Sequence, residues 1–170
     1  MKTICALLAA TLLLQSCASV KSDISYSKGM DKLGDGDVNQ AITYLRQAVE
    51  LDPTIPRNHY QLALAYQRLG DMSKAWQQIR NAYALDTTSP KQLQVFTRLY
   101  AQLAEQHRLE KTHPNAAEVI EVLGVADKYL HNENGELKAV YYGPLCLRFD
   151  EGHLAASEWY SPHNPTNTLR

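Results

Sequence analysis

From about Tyr26 to Glu110 the apolar residues recur at helical spacing, and beyond Thr112 the pattern shortens toward strands punctuated by turns. In the clearest stretch, Tyr60, Leu62, Ala63, Leu64, Tyr66 and Leu69 mark a helix from about Arg57 to Leu69. Ala75, Ile79 and Ala82 mark a second helix from about Ser73 to Ala84. Gly70-Asp71 between them reads as a stop and a restart, glycine taking the left-handed end of one helix and aspartate capping the next. The same phrase stands 34 residues earlier: Gly36-Asp37 answers Gly70-Asp71, Ala41 answers Ala75, and Ala48 answers Ala82. Leu51-Asp52 likewise returns as Leu85-Asp86, and Tyr26 as Tyr60. A lone helix has no reason to repeat at that distance, whereas a helix–turn–helix unit stacked on its own copy does. Small residues at Ala63, Ala75 and Ala82, matched by Gly29, Ala41 and Ala48, let neighbouring helices approach closely, and Pro53 stops the helix beyond Asp52.

The run GDVNQAITYLRQAVELDP, with its small residues, Gly-Asp turn and helix end in register, resembles the tetratricopeptide repeat. A third copy starts at Pro90 and keeps Tyr100, one period after Tyr66, but Ala104-Glu105 stands where the Gly-Asp turn belongs. Pro90 to about Glu110 is therefore expected as one longer helix that caps the stack, as terminal repeats are commonly atypical. The expected fold is mainly α: a tetratricopeptide-type hairpin stack over 24–112, with two clear repeats and a capping helix. The resemblance implies that the first helix of each repeat lines a concave face that takes a partner's peptide or helix. Carried onto this chain, that face comprises Tyr26, Met30 and Leu33, then Arg57, Tyr60, Leu64, Gln67 and Arg68, then Lys91, Gln94 and Arg98. The mixture is aromatic and basic, suited to an acidic or amphipathic segment. Tyr26 and Met30 stand where the Lys and Asn of the chaperone-binding dicarboxylate clamp would be, so that clamp is not reproduced. Tyr26 and Tyr60 serve equally well as packing residues or as anchors.

After Thr112 a small α+β module is expected over 113–161. Pro114 to Leu123 fits a short helix ended by Gly124, with Ala117, Ile120, Val122 and Leu123 inward. Tyr129 to His131 leads into Asn134-Gly135, a strong reversal signal, and Leu137 to Tyr142 follows until Gly143-Pro144 breaks it. Leu145 to Phe149 alternates, and Leu154 to Tyr160 makes a last strand after Asp150-Glu151-Gly152. A three-stranded antiparallel meander covered by the helix results, with 162–170 as a flexible tail. The Leu-Gly helix end, the Tyr-Tyr-Gly strand and the closing FDEGHL resemble the SmpA/OmlA family of BamE-like outer-membrane lipoproteins over Ala116 to Tyr160. That resemblance implies a role in assembling or stabilising outer-membrane machinery. Trp159 and Tyr160 either form a docking patch or close a small core.

The beginning of the chain adds location. Lys2 precedes an uncharged apolar run from Ile4 to Leu14, too short for a bilayer span and suited to a signal peptide over 1–16. Leu14-Gln15-Ser16-Cys17 resembles the bacterial lipobox, which implies acylation of Cys17 and a lipidated tether over 17–23. Ala18 after the cysteine implies sorting to the outer membrane, facing the periplasm. Two attached lipid groups hold a protein where one chain anchors only marginally. Lys2 is the one basic residue lost with the signal, which leaves 16 basic against 18 acidic side chains and a mature charge of about −2. Nucleic acid is thereby disfavoured as a partner. With Cys5 removed and Cys17 lipidated, Cys146 has no partner in the chain and is either buried or exposed for pairing elsewhere, its leucine neighbours favouring burial.

Catalytic chemistry finds little footing. His59, His107, His113, His131, His153 and His163 show no i, i+4 pairing with a carboxylate, so no metal site is expected, and no cofactor motif appears. Asp35, Asp37, Asp71 and Asp150 sit beside glycines as turn and cap residues. The expectation is a non-enzymatic, outer-membrane-anchored adaptor that binds an envelope protein or peptide. A pilotin-like accessory factor for secretion or pilus assembly is the alternative, followed by a cell-wall or glycan enzyme or its regulatory subunit.

Overall fold

The computed structural model describes residues 19–161 and 164–169, with side chains through Tyr160. It divides into two compact units that meet at Asp71/Met72. The signal peptide over 1–16 and Cys17 lie outside the described residues.

The first unit holds three helices: α1 over 19–34, α2 (Val38–Leu51) and α3 (Pro56–Leu69). The α1–α2 turn is built as the sequence predicts. Gly36 sits at φ 81°, its amide bonds to the Leu33 carbonyl at 3.3 Å, and the Asp37 amide reaches Lys32 at 2.9 Å. Asp37 then caps α2 by accepting the Gln40 amide at 3.0 Å. One period on, Gly70 sits at φ 87° and the same two bonds recur, Gly70 to Gln67 at 3.1 Å and Asp71 to Tyr66 at 3.0 Å. The core uses small residues: Ala41, Ala48, Ala63 and Ala65 are fully buried with Leu45 and Leu62. Gly29 belongs to this joint, because a Cβ there would lie 2.7 Å from the Leu45 side chain. Residues 19–23, expected as tether, are helical. The cause is local: Ser22 is buried, its hydroxyl donates to the Ala48 carbonyl at 2.9 Å, and it accepts from Asn58 Nδ2 at 2.9 Å.

The second unit begins with α4 (Met72–Leu85) and α5 (Pro90–Gln106), which pack on each other. A four-residue turn of helix, α6 (Leu109–Thr112), and α7 (Ala116–Leu123) follow. The single long capping helix expected to Glu110 is therefore broken after Gln106. Arg108 supplies the break by taking the left-handed region at φ 55°, and the reversal buries Leu109. Asn115 caps α7 in a reciprocal arrangement with Glu118.

Five antiparallel strands then run in chain order: β1 (Lys128–His131), β2 (Leu137–Tyr142), β3 (Leu145–Asp150), β4 (His153–Ser161) and β5 (Asn164–Leu169). The meander is longer than the three strands expected. β1 is exposed at all four positions, so no alternation announced it. β5, within the expected tail of 162–170, is held to β4 by backbone pairing, which leaves no hydrophobic signature in the sequence. The reversal at Asn134-Gly135 forms as read, with the Asn132 side chain accepting the amides of Asn134 and Glu136. Between β3 and β4, Glu151 and Gly152 both adopt positive φ, 48° and 81°, as a two-residue hairpin loop of this twist requires.

One face of the sheet carries Val140, Tyr142, Leu145, Leu147 and Trp159, in register across β2, β3 and β4. Against it lie Trp76 from α4 and Phe96 and Tyr100 from α5. Trp76 stands edge-on to Phe96 at 4.6 Å, and Trp159 meets Phe96 at 6.1 Å and Tyr100 at 5.5 Å. Trp159 thus closes a core, and Cys146 is buried. The helix-and-sheet segment shares one aromatic interior with α4 and α5.

Candidate functional site

The residues assigned to the concave face lie on the first helix of each repeat, with Tyr26, Met30 and Leu33 on α1 and Arg57, Tyr60, Leu64, Gln67 and Arg68 on α3. Lys91, Gln94 and Arg98 lie on α5, in the second unit. None of them is buried. Tyr26, Met30, Leu33, Tyr60, Leu64 and Gln67 are half-buried, and Arg57, Arg68, Lys91, Gln94 and Arg98 are exposed.

Within the first unit Arg57 and Tyr26 are already engaged. The Arg57 guanidinium bonds Asp23 at 2.5 Å and lies 4.9 Å from the centre of the Tyr26 ring. Both members of the ion pair are 53% exposed, so water screens it. Asp23 and Arg57 are 34 residues apart, one full period, which places them at the same helical position of successive repeats. That spacing was available in the sequence and was not used. Behind this pair the Asn58 amide bonds Ser22 at 2.9 Å and the Ala48 carbonyl at 3.4 Å, which locks α3 against the hairpin before it. The remaining cations differ. Arg68, Lys91 and Arg98 form no ion pair among the described residues. Beside Arg68, Leu64 and Tyr60 continue the same face of α3 at helical spacing.

The residue that joins the helices of the second unit to its sheet is Arg80, which the sequence did not single out. It donates to the carbonyls of Leu123 at 3.4 Å and Val125 at 2.9 Å, bonds Asp127 at 2.5 Å, and lies 4.9 Å from the Tyr142 ring. The Trp76 indole also donates to Leu123, at 2.9 Å. Asp127 in turn accepts the amide of Gly143, which sits at φ 54° and where a Cβ would lie 3.1 Å from the Tyr83 ring.

A hollow of about 530 Å³ opens between α5, α6 and β4, lined by Tyr100, Glu105, Arg108, Glu110, Lys111, Ser157 and Trp159. Its charges are balanced and mostly engaged: Lys111 pairs with Glu105 at 3.0 Å, and Ser157 donates to Glu110 at 3.1 Å. Burial pushes the Tyr100 phenol up to about 12, so it is neutral and can act only as a donor or acceptor. Among the described residues no group of three His, Cys, Asp or Glu side chains is placed to hold a metal ion.

Two family models match, one described as TPR repeat over residues 35–70 and one as tetratricopeptide repeat over 56–88. The segment 35–88 carries tetratricopeptide repeats. No curated relative matches the chain at a significant level. Among solved structures, the Arabidopsis OM64 TPR domain is similar at 19% identity and a TM-score of 0.50, over 62% of this chain and 83% of that one. That likeness is one of fold. The first TPR of Spaghetti bound to an HSP90 peptide aligns at 23% identity and a TM-score of 0.46, over 61% of this chain and 91% of its own. The globular C-terminal domain of P. aeruginosa LpoP aligns at 22% and 0.45, over 61% and 92%.

Proposed function

We propose that this protein is a lipid-anchored adaptor of the bacterial outer membrane, facing the periplasm, whose repeats hold an acidic or amphipathic segment of an envelope protein. The observation that carries the reading is the face of α3. Tyr60 and Leu64 stay half-buried rather than buried, and Arg68 beside them is an exposed cation without an ion-pair partner among the described residues. An apolar strip with a free guanidinium is the kind of surface on which aromatic and arginine anchors dominate binding. The repeats over 35–88 support protein–protein interaction as the general role. The segment from Ala116 to Tyr160, with its SmpA/OmlA resemblance, completes the aromatic core around Trp76 and adds a second contact surface. The lipobox at Leu14 to Cys17 supplies the anchor.

Affinity capture from membranes tests the partner face. Tyr60→Ala with Arg68→Glu should abolish capture while circular dichroism stays helical, since charge reversal opposes an acidic ligand. Capture that survives this pair but is lost with Tyr141→Ala and Arg148→Glu would move recognition to the sheet. Deleting 116–170 is not a clean control, because it strips the cover from Trp76 and Phe96. The anchor has its own test. Cys17→Ser should release the protein from membrane fractions or leave its precursor uncleaved, and normal cleavage with unchanged retention would overturn lipidation.

A further inference from the structure

We propose that the outward face at the start of α1, formed by Val20, Lys21 and Ile24, lies on the phospholipid surface, so that the first repeat is seated on the membrane rather than held off it by a tether. The inference rests on the lipidation reading above.

Val20 and Ile24 stand one helical turn apart and are 57% and 53% exposed, among the most exposed large apolar side chains of the described residues. The repeat shows why they are uncovered. Ile24 occupies the position that Asn58 occupies one period later, and Asn58 is fully buried against Ser22 and Ala48 of the hairpin before it. Among the described residues no hairpin precedes α1, so the equivalent face is open. Solenoids ordinarily close such an end with polar residues. Here valine and isoleucine stand on that face.

Chain length selects the occupant. Val20 stands three positions after Cys17, a reach of at most about 10 Å even when fully extended. Ile24 lies only about 6 Å farther along the helix. An acylated Cys17 therefore holds both side chains within reach of the headgroup layer, where apolar side chains of an interfacial helix insert. Lys21, between them, is exposed and has no ion pair among the described residues. Its ammonium is free for lipid phosphates while its stem lies along the apolar surface.

The test supplies the anchor chemically. The mature chain, residues 17–170, is coupled through the Cys17 thiol to a maleimide phospholipid in phosphatidylethanolamine–phosphatidylglycerol vesicles; Cys146 is buried and is spared. A benzoylphenylalanine replaces Ile24, or exposed Thr43 on α2 as control, and adducts are weighed after illumination. Lipid adducts should exceed the Thr43 control by about tenfold at position 24, and Val20→Glu should remove most of that excess. Equal or absent lipid adducts, or adducts joining two copies of the chain, would overturn the proposal. Failure of the lipidation reading is seen separately, as an unmodified Cys17 in the mass of the N-terminal peptide isolated from cells.

Discussion

The second helices of the two repeats, α2 and α4, began from one pattern and were put to different uses. Ala41, Leu45 and Ala48 of α2 and Ala75, Ile79 and Ala82 of α4 are all fully buried, so the stacking side is the same in both. Away from that side they diverge by residue type or by surroundings. Ile42 becomes Trp76, Val49 becomes Tyr83, and the exposed Arg46, paired with Glu50 in its own helix, becomes Arg80, whose side chain is only 18% exposed. Trp76, Tyr83 and Arg80 are the residues that meet α7 and the sheet. The small positions that repeat are buried in both helices. Positions where the repeat departs toward larger side chains mark the surface that a non-repeating segment covers.

The largest effect should come from the aromatic interior. Trp76→Ala removes a fully buried indole and its bond to Leu123, and should cost about 3–5 kcal/mol in urea unfolding. The fluorescence of Trp159 then reports the second unit, while circular dichroism reports the helices of both. If the variant instead melts like wild type by both probes, the sheet is not packed on α4. Arg80→Met should follow at about 1.5–3 kcal/mol, the range for hydrogen bonds to a charged group, because it removes the nearly enclosed guanidinium's bonds to the Val125 carbonyl and Asp127.

Alkaline titration should also act on the second unit. Tyr100 has its pKa raised to about 12 by burial, above the unfolded value near 10, so the unfolded chain releases its proton first. The Tyr100 contribution should be level below pH 10 and fall from there toward pH 12, by up to about 1.4 kcal/mol per pH unit for that one group. Burial raises Tyr142 as well, with the same sign. Tyr100→Phe should flatten the slope, and an unchanged slope in that variant would mean other groups carry it.

In the first unit the effects should be smaller. Gly29→Ala would gain helix propensity at an open site, but here its Cβ meets Leu45, so a net loss of about 1–3 kcal/mol is expected by thermal melting. A gain would show that the joint is looser than the small residues indicate. Arg57→Met should cost under about 1 kcal/mol and should lose that difference in high salt, since its pair with Asp23 is half exposed. The contrast between Arg57 and Arg80 is the sharpest form of the comparison: one guanidinium in water, one nearly enclosed.

The sequence by itself determined the repeats. A 34-residue period, glycines at the left-handed ends and small residues at the joints are local requirements, and each residue declares its own part. Thr54 and Thr88, bonded to Asp52 and Asp86, repeat in the same way and could have been read too. The sequence also placed the Asn-Gly reversal and favoured the burial of Cys146. Tertiary structure decided the rest. The break at Arg108 has no glycine to announce it, because burying Leu109 is what holds the strained residue in place. β1 and β5 are edge strands made by main-chain bonds, which leave no mark on the side-chain pattern. Arg80 matters because Leu123, Val125 and Asp127 converge on it from more than 40 residues away, and no spacing rule relates them. Periodic contacts are written in the chain; contacts between unlike segments exist only once both are folded.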